Sequence, residues 1–180
     1  SMGNRNAAWY FPFVKFLFMT GVRNAEAIGL TVEKINFKEK HILINQAFAR
    51  TDKGHHVKAR VMKPTKTGNA RYIPLTPGLE ELLLPLVQNK TARDFVFLGP
   101  KGNPIDDHQF QIRIWNQMLH DLNITHRNLY ACRHTFGTRC SEQGMNPKEI
   151  QYLMGHADVR ITLDVYVTLT TRVEWLPSMF

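Results

Sequence analysis

The sequence has few cysteines and no long apolar run, and these absences exclude several classes of protein. Its two cysteines, Cys132 and Cys140, lie in one predicted helix with their backbones about 12 Å apart, too far for a disulfide between them. The apolar stretch from Ala7 to Met19 contains Pro12 and Lys15 and falls short of the roughly 20 residues that span a bilayer. We therefore expect a cytoplasmic protein with no membrane partner.

Acidic residues are also scarce relative to basic ones. Lysine and arginine number 23 against 15 aspartates and glutamates, which gives a formal net charge of +8. This balance favours a polyanionic partner, with nucleic acid as the leading candidate, although charge alone does not identify one. Because no cysteine, histidine or carboxylate group has the spacing of a metal site, we expect no metal and no cofactor, and a two-metal nuclease has little support.

A chain of 180 residues with 43% hydrophobic content is long enough for one domain with its own core. Ser1, Met2 and Gly3 resemble what remains of a cleaved expression tag. We therefore expect a single domain over residues 4–180. The sequence contains no internal repeat and no low-complexity tract.

Hydrophobic periodicity predicts a mixed, mainly α-helical fold. Helices are expected at residues 8–20, 23–30, 77–88, 107–122, 128–142, 146–154 and 158 to about 165. Between the second and third helices, short alternating or β-branched runs predict a small three-stranded antiparallel sheet, with strands at 41–48, 55–62 and 71–75. The turn composition of residues 67–69 places Lys66 near the tip of a hairpin. Residues 146–149 supply an N-cap, a proline at the first helical position and a capping-box acid.

Four separated segments carry groups suited to phosphate binding or nucleophilic attack, each beside a structural break. They are Thr20 to Glu26, Thr65 to Gly68, Tyr130 to Phe136, and Leu153 to His156 with Thr162 to Tyr166. In this order and at these separations they resemble the signature of tyrosine recombinases, the phage-type integrases. The resemblance runs from about Trp9 to Val167 and implies the catalytic-domain fold of that family, with its N-terminal core-binding domain absent from this chain.

Two arginines and their neighbours match the phosphate-binding part of this signature. By the resemblance, Arg23 and Arg133 are the two catalytic arginines, and Glu26 is the acidic residue that orients an arginine or histidine rather than reacting. Two guanidinium groups can hold the non-bridging oxygens of an attacked phosphodiester through paired hydrogen bonds. Where most members have a histidine three residues before the second arginine, this chain has Tyr130. We predict that Tyr130 donates a hydrogen bond to the phosphate or to a neighbouring catalytic group.

The remaining matches supply the nucleophile and the proton transfers. Tyr166 matches the family's nucleophile, whose attack leaves a 3′-phosphotyrosine that conserves the phosphodiester energy without ATP. Lys66 matches the hairpin lysine, suited to protonate the departing 5′ oxygen, and His156 matches the histidine that bonds the phosphate or assists proton transfer. The resemblance thus implies metal-independent, site-specific recombination or integration of double-stranded DNA, by a homotetramer when the protein is full length.

Taken singly, each of these residues has a structural explanation, and only the joint match favours catalysis. Tyr10 and Tyr152 are rival nucleophiles, but both lie in apolar helical patterns where an aromatic residue is usually core. His134 is interpreted as structural, and the run from Phe11 to Phe18 as core. Two other functions stay open: a type IB topoisomerase-like enzyme, which reseals the original strand, and a DNA-binding regulator without catalysis, which Tyr130 in place of histidine would fit.

Overall fold

A computed structural model of the chain describes residues 7–50, 60–65 and 70–155. Its helices are α1 (Phe11–Thr20), α2 (Asn24–Ile28), α3 (Pro77–Val87), α4 (Asp107–Phe110), α5 (Asn116–Asp121), α6 (Ala131–Glu142) and α7 (Pro147–Met154). Its strands are β1 (Ile35–Asn36), β2 (His41–Ile44), β3 (Gln46–Arg50), β4 (Arg60–Pro64) and β5 (Arg71–Pro74). A 3₁₀ turn (Val32–Lys34) precedes β1, and a π-helical segment (Gln111–Trp115) joins α4 to α5.

The described helices agree with the predicted ones to within a few residues at their ends. The helix predicted from residue 158 lies outside the described residues, as does the first part of the strand predicted at 55–62. Across the described ranges, no helix is both long enough and apolar enough to cross a membrane. Cys132 and Cys140 are free and buried, and burial raises the pKa of each thiol to about 12.

Helix α1 lies at the centre of the core because one of its faces is apolar. Phe13, Phe16 and Leu17 are each at most 1% exposed, and the ring centre of Phe16 lies 5.0 Å from that of Phe97. Phe11, which the sequence placed in the core, is 60% exposed, so that prediction is wrong for this residue. The helical period puts position 11 on the face opposite Phe13.

The loop after α1 is fixed by a glycine in close contact with α6. Gly21 ends the helix with φ of +63°, in the left-handed region that glycine adopts without strain. A Cβ atom at this position would lie 2.3 Å from Cδ1 of Phe136. The backbone that leads to Arg23 therefore rests directly on helix α6.

The sheet is three-stranded and antiparallel, as predicted, but it is built from different strands. Its order is β1-β2-β5, and Ile42 of the central strand pairs with Ile35 on one side and Ile73 on the other. The strand predicted at 41–48 divides at Asn45, where the buried positions change from 42 and 44 to 47. Beyond that break, β3 pairs with β4 in a separate two-stranded ribbon. Inward-facing side chains alternate along a strand, so this shift from even-numbered to odd-numbered buried positions marks the point where the chain leaves the three-stranded sheet.

A buried arginine holds the β3-β4 ribbon against the start of α4. Arg60 is 7% exposed, and its Nη2 lies 3.2 Å from Oδ1 of Asp106 and 2.5 Å from Oδ1 of Asp107. Asp106 is also the N-cap of α4 and accepts hydrogen bonds from two backbone N–H groups of that helix. This ion pair fixes one strand of the ribbon on the helical part of the domain.

Helix α7 has the N-terminus that the sequence predicts. The side chain of Asn146 accepts from the N–H of Lys148, Glu149 accepts from the N–H of Asn146, and Pro147 occupies the first helical position. The helix ends at Gly155, whose φ is +64°. Because these caps fix both ends, the position of the chain just before His156 is set by how α7 packs.

Candidate active site

The end of α7 lies against three arginines that come from three separate parts of the chain. Three consecutive backbone carbonyls each accept a hydrogen bond from a different guanidinium group: Leu153 from Arg71 Nε at 2.8 Å, Met154 from Arg133 Nη2, and Gly155 from Arg23 Nη2 at 3.3 Å. The last carbonyls of a helix have no partner within it and carry the negative end of the helix dipole. Cations are therefore stabilised at this end of α7.

Glu26 is 2% exposed and lies between two of these arginines. Its carboxylate accepts from the backbone N–H of Arg23 at 2.9 Å and from Arg23 Nη1 at 3.1 Å. It also accepts from Arg71 Nη1 at 3.1 Å and from Arg71 Nη2 at 2.7 Å. Burial alone would raise the pKa of this carboxyl, but the hydrogen bonds and charges of Arg71 and Arg23 outweigh it and lower the pKa. Glu26 is thus an ionised carboxylate that contacts the arginine it was predicted to orient.

Arg133 is 1% exposed, and its Nη1 donates to the carbonyl of Gly21 at 2.6 Å. Burial is the main cause that lowers its pKa, and the positive charges of Arg23 and Arg71 add to this, whereas the hydroxyl of Tyr130 opposes it. Its Nε is buried and has no hydrogen-bond partner among the described residues. The side chain therefore keeps an unused N–H donor beside the other arginines.

The three arginines differ in the donors that remain for a ligand. A guanidinium group carries five N–H donors. Arg71 is 3% exposed, and each of its three nitrogens already donates to Glu26 or to Leu153. Toward the described residues, the contacts of Arg23 and Arg133 run through Nη1 and Nη2, and the side chain of Arg23 is 28% exposed. Arg23 and Arg133 can therefore bind an anion while their present contacts persist.

Tyr130 lies beside Arg133 at the surface of this cluster. It is 40% exposed, and the guanidinium carbon of Arg133 lies 5.8 Å from the centre of its ring. The ring of His134 meets it edge-on, with the ring centres 4.7 Å apart. His134, interpreted from the sequence as structural, is exposed rather than buried, and it packs on Tyr130.

The structure brings together four of the residues singled out from the sequence, namely Arg23, Glu26, Tyr130 and Arg133. Lys66, His156 and Tyr166 lie outside the described residues. Thr65, which precedes Lys66, and Gly155, which precedes His156, are both described and buried. The N–H of Thr65 donates to the carbonyl of Asn45 at 3.4 Å.

Sequence reasoning missed Arg71, although its strand carries a usable signal. Arg71 and Ile73 face inward on β5 and are 3% and 4% exposed, whereas Tyr72 between them is 40% exposed. An arginine in the inward-facing register of a strand must be paired, because an isolated buried charge is very costly. That position alone predicts a buried carboxylate partner.

The two rival tyrosines both have structural roles. The ring centre of Tyr10 lies 4.7 Å from that of Phe110, and burial, followed by the charge of Asp106, raises the pKa of its hydroxyl. The hydroxyl of Tyr152 accepts a hydrogen bond from the backbone N–H of Tyr72 at 3.0 Å. Neither contact presents the hydroxyl as a nucleophile beside Arg23 and Arg133.

Comparison with known proteins identifies similar chains. The model of the phage integrase family matches residues 2–172. A XerC-like tyrosine recombinase from Caldanaerobacter subterraneus is 26% identical, over 91% of this chain and 48% of that protein. The transposase of transposon Tn916 from Enterococcus faecalis is 28% identical, over 87% of this chain and 42% of that protein. The chain thus spans less than half the length of these relatives.

Solved structures show the same architecture. The integrase of transposon Tn1549, in complex with transposon right end DNA, superposes with a TM-score of 0.70 and 25% identity, over 92% of this chain and 57% of that one. This likeness confirms the predicted fold class, mixed and mainly α with a small three-stranded antiparallel sheet.

Replacing Glu26 tests the electrostatics of the cluster. Glu26→Gln should lower the free energy of unfolding by about 3–5 kcal/mol near neutral pH, because it leaves buried arginine charge without its counter-charge. The pKa of Glu26 is lower in the folded than in the unfolded chain. Its ionic contribution is therefore complete above the unfolded pKa of about 4.3 and is lost as the pH falls through the folded value. Denaturant unfolding across this range should show the difference between parent and variant shrinking in acid.

Glu80→Gln is the matched control, because Glu80 pairs with Lys40 at 2.7 Å at the surface of the domain. It should change the free energy of unfolding by at most about 1 kcal/mol. A Glu26→Gln effect that is as small, or that does not vary with pH, would contradict the account of the cluster.

Proposed function

The chain belongs to the phage integrase family, and from this membership we propose that it is the catalytic domain of a site-specific tyrosine recombinase that cuts and rejoins double-stranded DNA. One observation carries the proposal from the family to this chain: Arg23 and Arg133, from distant segments, meet at the end of α7 with N–H donors in reserve. Together with the excess of basic residues, this arrangement suits a DNA phosphate.

The proposed reaction needs a nucleophile, a base for its proton, a general acid for the leaving group and a site for the negative charge. The hydroxyl oxygen of Tyr166 attacks the scissile phosphorus, a bond from oxygen to phosphorus forms, and the bond to the 5′ oxygen breaks. Arg23 and Arg133 hold the non-bridging oxygens, on which charge accumulates in the transition state. His156 accepts the proton that the Tyr166 hydroxyl releases, and Lys66 gives its own proton to the departing 5′ oxygen. A 5′ hydroxyl of another strand then attacks the 3′-phosphotyrosine, which reverses these steps and joins the strands. Because protein side chains supply each role, the proposed scheme uses neither a metal nor a cofactor.

Tyr130 acts in this scheme as a neutral replacement for the usual histidine. Its place against Arg133 and its partial exposure support a hydrogen bond from its hydroxyl to the phosphate or to a neighbouring catalytic group. A phenol hydroxyl carries one O–H donor, so Tyr130 serves in this scheme as a hydrogen-bond donor.

The DNA partner and the assembly extend the same proposal. The Tn1549 integrase was solved with transposon right end DNA, and a lambda integrase dimer with its core site. By analogy the face that carries Arg23 and Arg133 lies on the duplex, and the full-length protein acts as a homotetramer. The segment of the relatives that this chain does not span would contribute the other half of the DNA clamp.

The nucleophile is tested by trapping the covalent intermediate. Incubation with a pool of nicked duplexes of randomised sequence, whose cut strand releases a short oligonucleotide, should accumulate protein that stays on DNA after denaturation. Tyr166→Phe should eliminate this adduct, because it removes only the attacking oxygen. Tyr152→Phe removes a hydroxyl of the same chemistry with a structural contact and should leave the adduct in place.

Persistence of the adduct in Tyr166→Phe would show that another residue is the nucleophile. Absence of any adduct in the parent would favour a DNA-binding regulator without catalysis. If adducts form, exchange of strands between two duplexes identifies a recombinase, whereas relaxation of supercoils without exchange identifies a topoisomerase-like enzyme.

The general acid is tested with a modified leaving group. Lys66→Ala should cripple cleavage of ordinary DNA, because the departing 5′ oxygen needs a proton, and arginine holds its own too tightly to supply it. Sulfur at the 5′ bridging position leaves without that proton and should largely restore cleavage. Arg23→Ala is the control that sulfur should not rescue, since its lost contact is to the non-bridging oxygens. Failure of sulfur to rescue Lys66→Ala would move the acid to His156 or to water.

A further inference from the structure

We propose that Arg71 is a positioning residue that sets the geometry of the catalytic groups without touching the DNA. The family resemblance gives this residue no role, and the inference rests on the function proposed above. Arg71 is 3% exposed, and all three of its nitrogens donate to protein atoms. Three of its five N–H groups are therefore engaged, against two each in Arg23 and Arg133 among the described residues, and its side chain is almost wholly buried whereas that of Arg23 is 28% exposed.

The first element that Arg71 fixes is the loop that carries Arg23. Its two terminal nitrogens bind both oxygens of Glu26, a bidentate pair that sets the direction of the carboxylate plane. The same two oxygens accept from the backbone and the side chain of Arg23. The orientation of Arg23 consequently follows that of Arg71, with Glu26 as the link.

The second element is the turn that leads to His156. Arg71 Nε donates to the carbonyl of Leu153 at 2.8 Å, and Gly155 lies close to the same guanidinium group. A Cβ atom at Gly155 would be 2.6 Å from Arg71 Nη1, so the backbone approaches this side chain more closely than any other residue type would allow. The end of α7 is thus in direct contact with the guanidinium group of Arg71.

The third element is the pair of described residues that flank the segment with Lys66. Arg71 is the first residue of β5, and it pairs with Ile44 in the three-stranded sheet. On the other side of that segment, the N–H of Thr65 donates to the carbonyl of Asn45, the neighbour of Ile44. Thr65 and Arg71 are therefore both bound to the chain at the end of β2, and Arg71 joins that point to Glu26 and Leu153.

These contacts require an arginine rather than any cation. The planar guanidinium group can present two nitrogens to a carboxylate and a third to a carbonyl in a fixed geometry. The single ammonium of lysine can pair with Glu26 but cannot reproduce the fork and the bond to Leu153 together. Arg71→Lys should therefore keep much of the ion pair with Glu26 but lose the fixed orientation of Glu26 relative to the carbonyl of Leu153.

The test compares Arg71→Lys and Arg71→Met with the parent and with Arg60→Met. Arg60 is the matched control, because it is a second buried arginine that pairs with carboxylates, those of Asp106 and Asp107, outside the candidate active site. Three quantities are measured for each variant: the melting temperature, the affinity for duplex DNA at fixed salt, and the single-turnover rate of adduct formation on the nicked randomised duplexes at saturating protein.

We expect Arg71→Met and Arg60→Met to lower the melting temperature to a similar degree. Below that temperature, Arg71→Met should slow adduct formation about 100-fold, the effect of small displacements of catalytic groups, with DNA affinity unchanged. Arg71→Lys should recover most of the melting temperature but remain slow. Arg60→Met should form the adduct at the parent's rate.

Recovery of the rate together with the stability in Arg71→Lys would overturn the inference, since only charge would then matter. Equal rates in Arg71→Met and Arg60→Met would also overturn it, and would leave Arg71 as a stabilising residue. A DNA affinity that falls as steeply as the rate would make Arg71 a DNA contact instead. A parent that forms no adduct would overturn the proposed function, and this inference with it.

Discussion

Like charges repel, and the arrangement at the end of α7 depends on how that repulsion is offset. Arg23, Arg71 and Arg133 lie close enough that the first and second lower the pKa of the third. Two negative charges partly offset theirs: the carboxylate of Glu26 and the C-terminal end of the α7 dipole, which is equivalent to about −0.5 of an elementary charge. The site therefore keeps a net charge of roughly +1.5, which suits a phosphodiester that gains negative charge as it is attacked.

In the proposed reaction, the positive charge is useful because it is fixed before the substrate binds. Solvent or mobile side chains would have to reorganise around the transition state, whereas donors already held by protein contacts do not. Arg133 is held by the carbonyls of Gly21 and Met154, and Arg23 by Glu26 and Gly155. Each is restrained by contacts that leave further N–H groups for the ligand. Burial of Arg71 and Glu26 keeps this scaffold out of water, where the ion pair would be weak.

The sequence predicts the outline of this arrangement more readily than its internal contacts. Local signals determine the helix ends, so the capping residues at 146–149 place the start of α7 correctly. The spacing of the family signature selects Arg23, Glu26 and Arg133, because each lies beside a recognisable break in the chain. The pairing of Arg71 with Glu26 joins residues 45 positions apart, with four strands between them, and no local pattern encodes a partner at that distance. The predicted strand likewise divides at Asn45 because the buried positions shift there from even-numbered to odd-numbered residues. A short apolar run does not reveal such a shift.

The central claim is that Arg23 and Arg133 bind the scissile phosphate while Arg71 stays on Glu26. A crystal structure of the chain bound to nicked duplex DNA, with Tyr166→Phe to stop the reaction, tests this directly. The account predicts the non-bridging oxygens within hydrogen-bonding distance of Arg23 and Arg133, and Arg71 still bonded to both oxygens of Glu26 and to the carbonyl of Leu153. A phosphate bound elsewhere, or an Arg71 side chain that leaves Glu26 to contact it, would contradict the account.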